Sequence, residues 1–419
     1  MHIDGNSFYA SCERLFRADL YKSPIVVLSN NDGIIVSLNK ECKALGIKRG
    51  DAFYKVRREL EKHKVAVFSS NYTLYADISA RMNLIYHRLA PEVEVYSIDE
   101  SFLFFPNWKN ADFTEIASAV KETVTRETGI PVSVGVAPTK TLAKLCNKLA
   151  KKRDNLCEWD KIDQDEELRN YPVEDIWGVG FSKAKFLKRH GITCALALKK
   201  YPLALAKKNL TINGFRTVQE LNGIPAIDKI ERSPRQVVAV SRSFQSAVYD
   251  LDSITAALSE YTHETVKRMR EEELSCRYIT VYLMTNAFSE GEQYFNQLST
   301  KLPYLSAYLP EILASAIGLL KQLYRPGYKY RKVMIALTGL ENDDNPQYDL
   351  FDTHYNEKKQ LEPLMRTFDR INNRYGRGTI KLCTGLVGKK PQESAAWEVK
   401  REYLSPRYTT NIKEIPKVY

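Results

Sequence analysis

Two acidic segments that lie far apart in the chain most constrain its fold. Residues 4–13 read Asp-Gly-Asn-Ser-Phe-Tyr-Ala-Ser-Cys-Glu, and residues 96–102 read Tyr-Ser-Ile-Asp-Glu-Ser-Phe. Each follows a short apolar or β-branched run, which predicts that its carboxylates lie at the end of a strand. Carboxylates on neighbouring strands can hold a pair of divalent cations, which stabilise the attacking and leaving oxygens of a phosphoryl displacement. Taken singly, either segment is equally typical of an exposed turn or of the end of a hairpin.

The composition indicates an ordinary multidomain protein with an anionic partner. The chain has 419 residues, too many for one core, which suggests three or four domains. Its formal net charge of +11 favours nucleic acid as the partner over anionic lipid. Since no apolar run reaches membrane-spanning length and no signal peptide precedes the first motif, we expect a cytoplasmic protein without membrane contact. The seven cysteines form no C-x-x-C pair and are expected to be free thiols.

The two segments together resemble the signatures of one enzyme family. Asp-x-Asn-x-Phe-Tyr-Ala-Ser-Cys-Glu and Ser-Ile-Asp-Glu are typical of the Y-family, or translesion, DNA polymerases. The amino-acid sequence of residues 27–33 and 68–77 is most similar to the UmuC type, the catalytic subunit of bacterial DNA polymerase V. The resemblance extends to residues 405–410 and is strongest over residues 1–180. It implies a template-directed, Mg²⁺-dependent, low-fidelity DNA polymerase that acts in SOS-type damage tolerance and mutagenesis.

The fold implied by this resemblance is α+β and multidomain, a right-hand polymerase with a palm, small fingers, a helical thumb and a little finger. The residues agree with it, because residues 236–340 read as strand, helix, strand, strand, helix, strand, and glycines separate short helical runs in 175–191. The latter pattern indicates a helix–hairpin–helix that contacts phosphates through backbone N–H groups, or else an ordinary helical hairpin. The predicted boundaries are palm 1–29 and 76–170, fingers 30–75, thumb 171–223, linker 224–235, β-α-β-β-α-β little finger 236–340, a loop with a clamp-binding motif 341–352, and a C-terminal extension 353–419.

In the matching family positions, Asp4, Asp99 and Glu100 are the catalytic residues and, with the Gly5 carbonyl, hold two Mg²⁺ ions. Adjacent residues on a regular strand face opposite sides, so Asp99 and Glu100 can share a site only where the strand ends or turns. Tyr9 falls at the steric-gate position, where a flat ring under the sugar would clash with a ribose 2′-hydroxyl. A core aromatic is the alternative. Only three residues precede Asp4, which predicts a strand that holds it weakly.

Triphosphate charge requires cations and amide donors around it. The family's nucleotide-binding positions correspond to Phe8, Tyr9, Ser37, Lys40, Lys43 and Lys151. Many relatives carry Tyr and Arg in place of Lys40 and Lys43, and a lysine lacks the bidentate fork of arginine. For Lys40, an exposed helix residue is the alternative. The candidate DNA contacts are Gly178, Gly180, Lys183, Lys185, Arg242, Arg277, Lys329 and Arg331.

Gln347-x-x-Leu350-Phe351 resembles the pentapeptide by which bacterial proteins bind the sliding clamp, with an anchor for the tail as the alternative. The resemblance further implies primed damaged DNA, deoxynucleoside triphosphates, a processed UmuD-type dimer and RecA as partners. Two other functions stay open at this point. One is a non-catalytic DNA-binding scaffold with a polymerase-like fold. The other is a different palm-based enzyme such as a nucleotide cyclase, for which the basic charge and the clamp motif have no use.

Overall fold

A computed structural model of the chain describes residues 1–106, 111–229, 234–342, 355–376, 378–380, 382 and 400–415. These residues belong to two compact units, Met1–Glu231 with Arg401–Tyr419, and Arg232–Lys400. The boundary between the units falls in the predicted linker. The C-terminal extension, predicted as one piece, is instead divided between the two units.

The described part of the first unit contains eight strands and eleven α-helices. The strands are β1 His2–Gly5, β2 Ile25–Leu28, β3 Ile35–Leu38, β4 Ala66–Ser69, β5 Glu92–Val95, β6 Glu100–Phe104, β7 Val132–Val136 and β8 Leu156–Glu158. The helices are α1 Phe8–Arg14, α2 Lys40–Ala44, α3 Phe53–Lys62, α4 Tyr72–Leu89, α5 Phe113–Thr128, α6 Lys140–Ala150, α7 Gln164–Asn170, α8 Phe181–Arg189, α9 Ala195–Lys199, α10 Leu203–Asn209 and α11 Thr211–Leu221. One sheet has the order β5-β6-β1-β7-β8 and the other the order β3-β2-β4.

Strand β1 lies in the middle of the five-stranded sheet although it has only four residues. It pairs antiparallel with β6 on one side and with β7 on the other. The Met1 amino group adds a bond of 2.7 Å to the Leu103 carbonyl oxygen, and the Ile3 side chain is fully buried. Two hydrogen-bonded neighbours therefore hold Asp4 in place. The expectation that so short a strand would hold it weakly is wrong.

Strand β2, which the sequence grouped with the palm, is the central strand of the smaller sheet. All four of its residues are apolar and buried. Val26 and Leu28 pack into the core between this sheet and helices α2 and α3, whereas Ile25 and Val27 pack into the core of the larger sheet. A strand covered on both faces needs a continuous apolar run. Because its two faces pack into different cores, β2 connects the predicted palm with the predicted fingers.

Helices α8 to α11, which fall within the predicted thumb, share a core of their own with part of α6 and with α7, which falls in the predicted palm. The pattern around 175–191 differs in detail from a helix–hairpin–helix. A single 3₁₀ turn at Val173–Asp175, rather than a full helix, precedes the glycines, and α8 follows them. Gly178 has φ of +89°, a conformation that favours glycine, and Gly180 is the N-cap of α8.

The second unit has the predicted β-α-β-β-α-β order. Its strands are β9 Val237–Val248, β10 Leu274–Thr285, β11 Phe295–Ser306, β12 Tyr330–Thr338 and β13 Glu341–Asn342, and its helices are α12 Leu251–Arg270, α13 Leu309–Leu323 and α14 Tyr355–Tyr375. The sheet order is β11-β10-β12-β9, with β13 beside β10. Helices α12 and α13 cover one face, and α14 adds Met365 and Phe368 to the same core.

Two expectations drawn from composition can be checked in the described residues. Cysteines 12, 42, 146, 157, 194 and 276 are free thiols, as predicted. None of the helices described here has the length and apolar character needed to cross a bilayer.

Candidate active site

Strands β1 and β6 bring the three predicted carboxylates to one end of the larger sheet. Asp4 is the register partner of Glu100, and the Gly5 N–H donates to the Asp99 carbonyl oxygen at 2.9 Å. Asp99 closes the turn after β5, and Glu100 is the first residue of β6. Because the pair lies where a turn becomes a strand, its side chains are not forced to opposite faces as they would be inside a regular strand.

The turn between β5 and β6 is fixed by Ser97 of the Ser-Ile-Asp-Glu motif. Its hydroxyl donates to Asp99 Oδ1 at 2.8 Å and accepts from the Glu100 N–H at 3.1 Å. The Tyr96 and Ser97 N–H groups both donate to the Glu100 carbonyl oxygen. One small side chain thus orients the two adjacent carboxylates, which accounts for serine at this position.

Two lysines of the α6 region contact the carboxylates. Lys151 Nζ lies 2.6 Å from Asp4 Oδ1, and Lys144 Nζ lies 3.0 Å from both carboxylate oxygens of Glu100. Lys144 also lies over the rings of Tyr96 and Trp177, at 4.2 and 5.3 Å from their centroids. The sequence reasoning predicted Lys151 as a phosphate contact but missed Lys144. Its signal was helical spacing, since Lys144 lies four residues after Lys140 and seven before Lys151.

Burial and the charge of Lys151 dominate the electrostatics of Asp4. Burial raises the pKa of Asp4, the Lys151 ammonium opposes that rise, and the negative charges of Asp99 and Glu100 add to it. Burial, followed by the nearby charge of Lys144, lowers the pKa of His2 well below its usual range, so that this histidine is neutral. The site therefore concentrates three acidic groups, which is favourable only beside cations.

The oxygen donors at this site are of the chemical type that binds a divalent cation. Three carboxylates and a backbone carbonyl are hard oxygen ligands of the kind Mg²⁺ prefers. Within the described residues, no three His, Cys, Asp or Glu side chains already converge as a ready metal cluster. Lys151 and Lys144 form ion pairs with the Asp4 and Glu100 side chains. A cavity of about 270 Å³ lies at this place, lined in part by Asp4, Glu100, Lys144, Lys151 and Trp177.

Tyr9 lies on α1, five residues after Asp4, with its ring held by two other tyrosines. It stacks on Tyr75 with centroids 4.4 Å apart and an interplanar angle of 14°, and Tyr72 meets it edge-on at 5.9 Å. Burial raises the pKa of Tyr9, and the charges of Asp99 and Arg49 act on it with opposite sign. The ring is half-buried and near the carboxylate site, which suits a gate better than a fully buried core aromatic.

The other predicted nucleotide contacts differ in their surroundings. The Phe8 ring is buried and packs against Gly5, so this side chain is part of the core. Ser37 is half-buried in β3, while Lys40 and Lys43 are exposed on the short helix α2. Arg49, missed by the sequence reasoning, is an exposed cation whose charge opposes the rise in the pKa of Tyr9.

Known proteins match the chain over nearly its whole length. The impB/mucB/samB family matches residues 3–148, and the C-terminal domain of that family matches residues 235–350. The UmuC protein of Salmonella typhimurium is 36% identical over 423 residues, covering 99% of this chain and 99% of its own. The chain belongs to the impB/mucB/samB family. Its residues 362–418 also match a domain of unknown function.

Other family members and solved structures agree with this assignment. The MucB protein of Escherichia coli is 37% identical, covering 99% of this chain and 98% of its own. DNA polymerase IV of Pelotomaculum thermopropionicum is 28% identical, with 92% and 94% covered. A Y-family DNA polymerase chimera has the same fold, with a TM-score of 0.66 at 20% identity over 81% of this chain and 98% of its own. The predicted class, a Y-family translesion DNA polymerase of the UmuC type, is confirmed.

The predicted DNA contacts of the thumb lie around the start of α8. Lys183 is half-buried and its Nζ donates to the Gly178 carbonyl oxygen at 3.1 Å, so it stabilises the turn. Lys185 is exposed. The space beside Gly180 is open, so that a Cβ atom added there would meet no neighbouring atom. Phe181, in the first turn of the helix, is 83% exposed. An open helix N-terminus with a lysine beside it can accept a phosphate.

In the second unit the four predicted DNA contacts differ in their surroundings. Arg242 lies on the same face of β9 as the buried Val240 and Phe244, because side chains alternate along a strand. It forms an ion pair with Glu264 of α12. Its guanidinium thus lies on the helix-covered face of the sheet. Arg331 donates to the Gln245 carbonyl oxygen at 2.8 Å, Arg277 is half-buried, and Lys329 is exposed. The predicted clamp motif, Gln347, Leu350 and Phe351, lies outside the described residues.

Proposed function

We propose that this protein is a template-directed DNA polymerase that uses two Mg²⁺ ions for low-fidelity synthesis across damaged template, in SOS-type damage tolerance. The observation that carries the proposal is the placement of Asp4, Asp99 and Glu100 at the adjoining ends of β1 and β6 in a member of this family. Members of the Y family are in general metal-dependent and bind DNA and nucleotides.

In this proposal the three carboxylates bind the ions and the residues around them orient the substrates. Bound Mg²⁺ would neutralise triphosphate charge and favour the ionised primer 3′-hydroxyl. Lys151 Nζ, 2.6 Å from Asp4 Oδ1, releases the Asp4 carboxylate and binds a phosphate oxygen when the nucleotide enters. Lys144 contacts both carboxylate oxygens of Glu100 from α6 and orients that carboxylate.

Tyr9 selects the sugar in this proposal. Its ring is kept flat by the stacked Tyr75 and by the edge of Tyr72, so it cannot easily turn away from a 2′-hydroxyl. Lys40, Lys43 and Arg49 supply positive charge from the fingers side of the chain. Selection by exclusion of one group requires a rigid wall rather than a new attraction, and the three packed rings provide it.

The proposed partners beyond primed DNA and deoxynucleoside triphosphates follow from the family resemblance. They are the sliding clamp, bound through Gln347, Leu350 and Phe351, a processed UmuD-type dimer, and RecA. On the second unit, the sheet face opposite α12 and α13 carries Tyr278, Thr280, Tyr282 and Lys332, whose hydroxyl and ammonium groups suit phosphates.

Primer extension with Mg²⁺ tests the metal site. Asp99→Ala or Glu100→Ala should lower single-nucleotide incorporation at least about 100-fold, because each loss removes several kcal/mol of transition-state stabilisation. Glu122→Ala, an exposed carboxylate on α5, is the matched control and should extend normally. Melting temperature and duplex binding, measured on the same preparations, should stay near wild type. Near-normal incorporation by Glu100→Ala would contradict the site assignment, and a wild-type protein that extends nothing would favour the scaffold.

A further inference from the structure

Residues 401–408, which we term the C-terminal strap, pack on the first unit although the chain reaches them from the second. The Ser69 N–H donates to the Tyr403 carbonyl oxygen at 2.9 Å, and the Tyr403 N–H donates to Ser69 Oγ at 3.0 Å. Leu404 forms a parallel bridge with Ser69. The strap thus continues the hydrogen bonding of β4 at the point where that strand leads into α4.

A buried aspartate holds the start of the strap. Asp32 Oδ1 accepts from Ser69 Oγ at 2.7 Å, and Asp32 Oδ2 accepts from the Glu402 N–H at 2.9 Å. Asn31 and Asp32 have φ of +63° and +49°, an unusual conformation for two consecutive residues with side chains. Strain of this kind persists only where surrounding contacts require it, and the strap supplies one of them.

The middle of the strap binds the N-terminus of α4. Asn71 Oδ1 caps the helix by accepting from the Leu74 N–H at 3.3 Å. The amide Nδ2 of Asn71 donates to Ser405 Oγ at 2.9 Å and to the carbonyl oxygens of Ser405 and Pro406 at 3.2 and 3.1 Å. The cap residue is buried, so its amide has few other acceptors within reach. The strap therefore fixes the first turn of the helix that carries Tyr72 and Tyr75.

The strap also reaches α1, the helix that carries Tyr9. Glu13 of α1 is fully buried, lies beside Ser405, and accepts a hydrogen bond of 2.6 Å from Tyr75 Oη. Farther along, Tyr408 stacks on Phe16 at 4.6 Å with an interplanar angle of 15°. Since the Tyr75 ring stacks directly on Tyr9, a continuous set of contacts links the strap to the predicted gate.

We propose that the C-terminal strap positions the Tyr9 ring, through Ser405, Glu13 and Tyr75, and so sets the discrimination between deoxyribose and ribose. The inference rests on the proposed role of Tyr9 as the sugar gate. Ser405, Glu13 and Tyr75 are positioning residues that touch neither sugar nor phosphate. The strap holds α1 and α4 at a fixed separation, and that separation fixes the plane of the stacked rings.

The experiment uses the full chain and two conservative variants. Tyr75→Phe keeps the ring that stacks on Tyr9 and removes only the hydroxyl bound to Glu13, while Ser405→Ala removes the strap hydroxyl. Each should lower the ratio of kcat/KM for a deoxynucleotide over its ribonucleotide by about threefold to tenfold, because a small displacement of a positioning group has effects of this size or larger. Ile412→Ala, 84% exposed and beyond the strap, is the control and should leave the ratio unchanged.

Tyr9→Ala separates failure of the strap from failure of the gate. If Tyr9→Ala leaves the ratio at the wild-type value, the gate assignment itself is wrong. If Tyr9→Ala collapses the ratio but Tyr75→Phe and Ser405→Ala do not change it, the strap inference is overturned, even where melting temperature falls. In the Tyr9→Ala background, Tyr75→Phe should have no further effect on the ratio, because the ring it positions is gone.

Discussion

Glu13→Gln should remove a pH dependence of stability from the first unit. The Glu13 side chain is fully buried on α1, next to Ser405, and Tyr75 Oη donates to it at 2.6 Å. Burial raises the pKa of Glu13 from 4.5 to about 7, and the hydrogen bond from Tyr75 together with the nearby Ser405 hydroxyl opposes that rise. Glutamine has nearly the same shape and can still accept from Tyr75, but it does not titrate.

The sign of the effect follows from which state holds the proton. Below pH 4.5 the carboxyl is protonated in both the folded and the unfolded chain, and stability does not depend on it. Between pH 4.5 and about 7 the unfolded chain releases the proton while the folded chain keeps it, so stability falls as pH rises. The free energy of unfolding falls by roughly 1.4 kcal/mol for each pH unit in this range, which amounts to about 3 kcal/mol between pH 4.5 and about 7.

Thermal unfolding at a series of pH values from 4.5 to 8, for wild type and Glu13→Gln, measures this difference. We expect the two melting temperatures to be closest at the acidic end and the variant to be more stable by several degrees at pH 8. Glu122→Gln, which changes an exposed carboxylate of the same unit, controls for loss of one charge. If the wild-type and Glu13→Gln curves run parallel across the range, Glu13 is not a buried acid with a raised pKa and this reasoning is refuted.

Three further predictions concern packing, DNA binding and the clamp. Gly135→Ala should destabilise the protein by about 3 kcal/mol in chemical unfolding, because its Cβ would lie 2.3 Å from the Ala143 carbonyl oxygen, whereas Gly318→Ala, with open space, should not. Primed-DNA affinity should fall at least about tenfold between 50 and 200 mM salt, and removal of residues 236–340 should weaken both the affinity and its salt dependence; a flat response would contradict phosphate binding. Leu350→Ala combined with Phe351→Ala should abolish clamp-stimulated synthesis with unchanged clamp-free extension and melting temperature, whereas a tail anchor would lose stability and keep the clamp response.

The parts of the fold that the sequence predicted are those written in local patterns. The order of strands and helices read from residues 236–340 matches the six main elements of the second unit, from β9 to β12. The carboxylates were found because two short motifs carry them, and the turn that lets Asp99 and Glu100 share a site was required by strand geometry alone. In both cases the controlling contacts lie within a few residues of the signal.

Predictions that depended on a partner element were less successful. Arg242 was chosen for its charge, but only the packing of α12 on β9 shows that it pairs with Glu264. The run Ile25–Leu28 forms a buried strand, yet nothing in four apolar residues says which of two sheets it joins. Lys144 carried a helical-spacing signal, but its role depends on β6 being adjacent to α6.

The C-terminal strap was not predicted because its signal is distributed over the length of the chain. Its hydrogen bonds link Asn71 to Ser405 and Asp32 to Glu402, residues separated by 334 and 370 positions. Taken alone, the Asn30–Gly33 sequence is typical of a turn, and an asparagine before a helix is typical of a cap. Each of these polar side chains has a second bonding position filled by strap backbone, and a buried polar group left without such a partner is costly. The matched domain of unknown function thus divides, with α14 packed on the second unit and the strap bonded to the first. The first unit is therefore completed by residues from the far end of the chain, and its Tyr9 environment depends on a segment that no local pattern relates to it.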